Sequence, residues 1–139
     1  MQGTKIIRNA LLIVMGGLAI QACVSSNYAL KGEELSSVIA GNTVYGVNSG
    51  GTEFIQIFSY DGTLLSGPAN KRDSAGKWVP YETGQWKIVD GRLCNTYSKP
   101  APRDGGCDRF FNRADGQYVY TTLSGRQGQI RKVVSGRAE

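Results

Sequence analysis

Beyond Asn42, apolar and polar residues alternate with the period of half-buried strands, and turn residues break the alternation at short intervals. The runs are Thr43–Val47, Glu53–Tyr60, Thr63–Gly67, the two arms of Tyr81–Tyr97, Cys107–Arg113, Gln117–Leu123 and Gln129–Val134. Asp-Gly stands between runs at Asp61-Gly62, Asp90-Gly91 and Asp115-Gly116. At Asp90-Gly91 it suits a type I′ hairpin turn, whose central residues both need positive φ. About eight antiparallel strands joined by short turns predict an all-β meander. Such a meander closes into a small calycin-like barrel or stays a strongly curved open sheet.

Several stretches depart from simple alternation. Leu35, Val38 and Ile39 recur at helical spacing, with Glu33 and Glu34 in the first turn and Gly41 as a stop, so Lys31–Ala40 predicts one short helix across a barrel mouth or sheet edge. Glu53–Tyr60 is apolar on both faces, with Phe54, Phe58 and Tyr60 on one and Ile55 and Ile57 on the other. That pattern predicts burial on both sides, under the helix. Pro68–Tyr81 reads as a loop with a short strand at Trp78, and Lys99–Gly106 as a loop. In the Tyr81–Tyr97 hairpin, Trp86 reads as core.

The first segment reads differently again. Met1–Asn9 carries Lys5 and Arg8 and no acid, and Ala10–Ile20 is an eleven-residue apolar run. A basic start, a short apolar run and a small residue before a cut describe an export signal. The run falls short of the ~20 residues of a comfortable membrane span. Ile20-Gln21-Ala22-Cys23 resembles a bacterial lipobox, although Gln21 is unusual at its position. The resemblance implies a mature chain that begins at Cys23 and carries acyl chains there. The alternative is ordinary cleavage near Ala22, leaving Cys23 free or paired. The expected division is a signal peptide over 1–22, a lipidated tether over 23–29 and one domain over 30–139. Val24 is not the aspartate that commonly holds lipoproteins at the inner membrane. The expected location is therefore the outer membrane, with the domain in the periplasm or at the cell surface.

Composition sharpens this picture. The chain has 139 residues, 19 glycines and three cysteines, which bounds it to one domain with a modest core. An odd cysteine in an exported chain needs a role. Lipidation of Cys23 supplies one and leaves Cys94 and Cys107 to pair as a disulfide in an oxidising envelope. The absence of histidine excludes Ser-His-Asp and Cys-His catalysis and histidine-bearing zinc sites. Charge is uneven: residues 99–139 hold eight basic and four acidic side chains, and residues 23–98 hold six and seven.

Candidate chemistry is sparse. Glu82, Asp104 and Asp108 are loop-proximal acids that a hydrolase would have to bring together. Neither a calcium-loop pattern nor a phosphate-binding glycine loop is present in the sequence. Trp78, among Lys77 and Pro80, reads as a surface or rim residue, and Trp86, Tyr97, Tyr118 and Tyr120 as core or cavity lining. The candidate partner-binding residues are Trp78, Arg103, Arg109, Arg113, Arg126 and Arg131. A basic face of this kind suits anionic headgroups, an acidic glycan or an acidic protein, or else is a solvated strand face.

Five short patterns recur in order: Gly41-Asn42-Thr43-Val44-Tyr45-Gly46, the aromatic strand Phe54–Tyr60, Asp61-Gly62-Thr63, Gly84-Gln85-Trp86, and Leu93-Cys94 with Cys107 beyond. Together they resemble a family of small exported domains from alphaproteobacteria that carries no catalytic assignment. The resemblance spans roughly residues 30 to 134 and implies the β fold and the disulfide. The functional expectation is a non-enzymatic envelope lipoprotein that binds a protein or glycan partner, inhibitor-like in one form. It requires no cofactor or metal and does not bind nucleic acid. The alternatives are a lipocalin-like carrier of a small apolar ligand and a carboxylate-dependent hydrolase.

Overall fold

A computed structural model describes residues 27–137; the expected export signal, the expected lipidation site Cys23 and the chain to residue 26 lie outside the described residues. A two-residue strand β1 (Tyr28–Ala29) and helix α1 (Gly32–Ile39) precede the meander. The meander runs β2 (Asn42–Val47), β3 (Glu53–Phe58), β4 (Thr63–Pro68), β5 (Glu82–Val89), β6 (Arg92–Lys99), β7 (Arg103–Asn112), β8 (Tyr118–Thr121) and β9 (Gln127–Ser135). Each strand pairs antiparallel with the next, and β9 returns to β2, so β2–β9 form a closed eight-stranded barrel. Closure satisfies strand edges that an open sheet would leave unpaired.

The turns follow from local chemistry. Asp90 (φ 51°) and Gly91 (φ 70°) form the two-residue turn of the β5–β6 hairpin. The other two Asp-Gly pairs use a different device. Asp61 Oδ1 accepts from the Thr63 N–H at 2.9 Å and Asp115 Oδ1 from the Gln117 N–H at 3.0 Å, pinning each turn by its own side chain.

Three boundaries differ from expectation. Lys99–Gly106 is largely strand: β7 begins at Arg103, and only residues 100–102 connect it to β6. The glycines at 105 and 106 sit at a bulge, where the β6–β7 register shifts between Asn95 and Thr96. Tyr60 is 84% exposed in the β3–β4 turn instead of extending β3. Tyr28 and Ala29, within the expected tether, pair with Asn112 and Phe111 of β7. They occupy the edge that β6 leaves free beyond Asp108.

The core lies inside the barrel. Leu35 and Ile39 of α1, both fully buried, close one end against Val44, Phe58, Leu64 and Leu93. The Asn42 side chain donates to the Val38 carbonyl at 2.9 Å, and the Gly41 N–H donates to the Phe58 carbonyl at 2.7 Å, tying the helix end to the barrel. Trp86 packs edge-on to Phe58 at 5.8 Å and donates from Nε1 to the Ser59 carbonyl.

The outer face of β3 is covered, but not by the helix. Ile55, Ile57 and Trp78 form a second cluster, joined by Tyr45, Leu65 and Ala69. Residues 69–81 fold as a flap over that face. Trp78 donates from Nε1 to the Pro68 carbonyl at 3.0 Å and is 7% exposed, which corrects its reading as a surface or rim residue. The bridge between Arg72 and Trp78 supplies the short strand expected there.

Gly84 marks the tightest backbone approach. A Cβ there would stand 1.8 Å from the Thr96 carbonyl oxygen, a backbone atom that cannot swing aside. Gly84→Ala is expected to cost about 1–3 kcal/mol by forcing the β5–β6 bulge apart. Urea unfolding checks this, and an unchanged midpoint would contradict so close a fit.

Candidate functional site: the open barrel mouth

Helix α1 closes one end of the barrel, and the other end is open. The β2–β3, β6–β7 and β8–β9 connections border it, and a cavity of about 640 Å³ enters the lumen there. Side chains reach this space by strand alternation. Leu93 pairs with Asp108 and Phe110 with Tyr120, and all four line the cavity. Phe54 and Ile130 complete the apolar wall.

Glycines account for the open lumen. Gly46 is the register partner of Phe54, and Gly128 that of Tyr120. A Cβ at either glycine would stand 2.3–2.4 Å from the partner's ring. With hydrogen in that place, each ring lies across its neighbouring strand instead of projecting into the lumen. Phe110 stacks on Tyr120 at 5.8 Å, and Phe54 meets Tyr120 edge-on at 6.2 Å.

Polar groups interrupt this wall. Gln56 Nε2 donates to Tyr97 Oη and Ser66 Oγ, each at 3.4 Å, linking β3, β6 and β4. At the rim, Arg103 Nε donates to Glu82 Oε1 at 3.0 Å, and the guanidinium lies 4.2 Å over the Tyr97 ring. Arg126 lines the same entrance and, among the described residues, makes no ion pair. Burial pushes the Tyr97 hydroxyl above its ordinary pKa, with Glu82 adding to the effect. Burial, then the nearby Asp108 and Tyr97, push Tyr120 up to about 12.

Asp108 is a half-buried carboxylate on the cavity wall. Its carboxylate accepts no hydrogen bond among the described residues, and burial raises its pKa to about 6 against a partial opposing pull from Arg92. Behind the cavity lining, two residues along the same face of β6 from Leu93, is Asn95, 6% exposed, whose buried Oδ1 has no hydrogen-bond partner among the described residues.

The Asp108 shift carries a pH dependence. The folded chain holds this proton up to about pH 6, and the unfolded chain releases it near the ordinary value of about 4. Between these values the folded state binds more protons, so Asp108 makes stability fall as pH rises through that window. Asp108→Asn is expected to raise the melting temperature near neutral pH and to leave it nearly unchanged in acid below the window. Equal effects in both buffers would contradict burial as the cause.

The structure brings together only part of the expected set. Arg103 and Arg126 flank the mouth. Arg109 shares the outer face of β7 with Cys107 and Phe111. Arg113 lies past the far end of β7, 3.4 Å from Asp115, and Arg131 is exposed beside the β2–β9 register shift. These arginines do not form one continuous basic face. Of the three acids, Asp104 and Asp108 line the cavity, and Glu82 is held by Arg103. Among the described residues no three histidine, cysteine or acidic side chains gather as metal ligands. Cys94 and Cys107 are bonded across β6 and β7, on the face opposite Leu93 and Asp108.

Gln56, Ser66 and Asn95 were absent from the expected site. Each is a polar residue at an inward position of its strand, and that mismatch with binary patterning is the signal that exposes them. Comparison with protein-family models, curated proteins and solved structures finds no match to this chain. The family resemblance therefore stands on the five sequence patterns alone.

Proposed function

We propose that this chain is an exported, non-enzymatic binding domain that takes a small amphipathic ligand in the open end of its barrel. The carrying observation is the cavity of about 640 Å³, within the size range of small-molecule sites, with an aromatic wall and a few convergent polar groups. The Gln56, Tyr97 and Asp108 groups favour a ligand with a polar head over a purely apolar one. Catalysis has weaker support: Glu82 is engaged with Arg103, and Asp108 has no hydrogen-bonded base or nucleophile beside it among the described residues.

The envelope reading goes with this proposal. A disulfide between Cys94 and Cys107 suits an oxidising compartment. Strand β1 pairs antiparallel to the last residues of β7, so the described chain enters from the side that α1 closes. A lipid anchor at Cys23 on the outer membrane would then turn the open mouth away from the bilayer. A protein or glycan partner at the rim is the second reading. It is favoured by Leu123, which is 69% exposed beside Arg126 in the β8–β9 turn.

Native mass spectrometry of protein extracted gently from its host tests the proposal. The expected result is an acylated chain with the cysteine pair oxidised and a further small molecule bound. A chain with no releasable small molecule, and no uptake of small aromatic amphiphiles afterwards, would overturn the cavity reading. A chain without acyl mass would overturn the anchor.

A further inference from the structure

We infer that the cavity seats a small organic ammonium ion, its head against Asp108 and its apolar body along Phe54, Phe110 and Tyr120. This rests on the reading of the lumen as a small-ligand site and names the charge of the ligand. The first argument is the kind of polar group left unmet. On the cavity wall it is an acceptor: the Asp108 carboxylate accepts no hydrogen bond and joins no ion pair among the described residues. Leu93 pairs with Asp108, and strand alternation puts this carboxylate on the inward face with Phe110, two residues along β7. An ammonium group supplies three donors and no competing acceptor, and its hydrogen bond to a carboxylate is charge-assisted.

The second argument is the aromatic wall. Phe54, Phe110 and Tyr120 form a stacked and edge-on set that lines the same cavity as the carboxylate, and Tyr97 lines it too. Ring faces attract organic cations, more strongly where water is excluded. The rim does not oppose this as a cationic funnel. Glu82 neutralises Arg103, Asp104 lines the same cavity as Arg126, and Arg92, the cation that acts on Asp108, neither lines the cavity nor forms an ion pair with that carboxylate among the described residues. A carboxylate ligand would meet Arg126 at the rim, but Asp108 on the wall would repel it.

The test uses the folded, disulfide-bonded domain and three probes of one shape: 2-phenylethylamine, 2-phenylethanol and 3-phenylpropanoate. Calorimetric titration in mildly alkaline buffer is expected to rank the amine first. Asp108→Asn is expected to weaken the amine by about tenfold to a hundredfold, the worth of one charge-assisted hydrogen bond, and to weaken the alcohol distinctly less. Equal binding of all three probes, or preference for the carboxylate, would overturn the ammonium assignment and leave the cavity reading in place. Failure of all three to bind would remove both. If Asp108→Asn does not fold, the ranking of the probes on the unaltered chain decides the question alone.

Discussion

Phe58→Ala is expected to lower the stability of the domain by about 3–5 kcal/mol, the range for deleting a buried aromatic ring. Phe58 is fully buried and belongs to the cluster that joins helix to barrel. Its ring meets Trp86 edge-on, and its carbonyl accepts from Gly41 at the point where the chain leaves α1. Strands surround it and α1 closes the end of the barrel, so little can collapse into the space it leaves. A domain of this size is stable by about 5–15 kcal/mol, so the loss takes a large share of the total. Phe54 makes a useful contrast. It lies on the same strand and also faces inward, but its ring borders the open cavity across Gly46. Phe54→Ala removes contacts on one side only and should cost distinctly less. Urea unfolding of both variants checks the pair. Equal losses would mean that the open end is as tightly packed as the helix-closed end.

Much of this architecture is legible as a pattern. Two-residue alternation marks the strands, and Asp90-Gly91 marks its hairpin because few other dipeptides accept positive φ twice. Leu35 and Ile39 mark the helix face that closes the barrel. Partners remote in sequence are less legible. Ile55 and Ile57 announce a covered outer face, but nothing local says that the cover is Trp78 on the flap and not α1. The polarity of residues 99–106 suggests a loop, and the partner strand β6 overrides it by pairing with Arg103 and Asp104. The site is harder still, because it depends on which way each residue of a strand faces. The arginines illustrate this: Arg103 and Arg126 reach the mouth, and Arg109 lies on the outer face of the same β7 that carries Arg103. One clue to facing was present in the cysteines. Once Cys94 and Cys107 are taken as an outward cross-strand pair, their neighbours Leu93 and Asp108 must face inward. That step turns Asp108 from a loop acid into a cavity group.

The same disulfide carries the second large expected effect. Replacing both Cys94 and Cys107 by serine is expected to cost about 3 kcal/mol, from the chain freedom that closing so short a loop removes. Its place in the barrel predicts where the loss appears. Strands β6 and β7 pair only from Leu93–Asp108 to Tyr97–Arg103, and a bulge interrupts even that ladder. Beyond Asp108, β7 continues without β6, and its free edge is held by the two residues of β1. The cross-link therefore clamps this pair of strands just before they diverge, one residue from Asp108. Without it, amides of β6 and β7 should exchange faster than those of β3 and β4, which lie across the barrel and keep their own continuous ladder. The cavity wall that carries Tyr97, Arg103 and Asp108 belongs to the loosened pair. Ligand affinity should thus fall along with stability, even where the variant remains folded. Uniform acceleration of exchange around the barrel would indicate that the bond acts only on the unfolded chain. Acceleration confined to β6 and β7 would show that it also holds the binding wall in place.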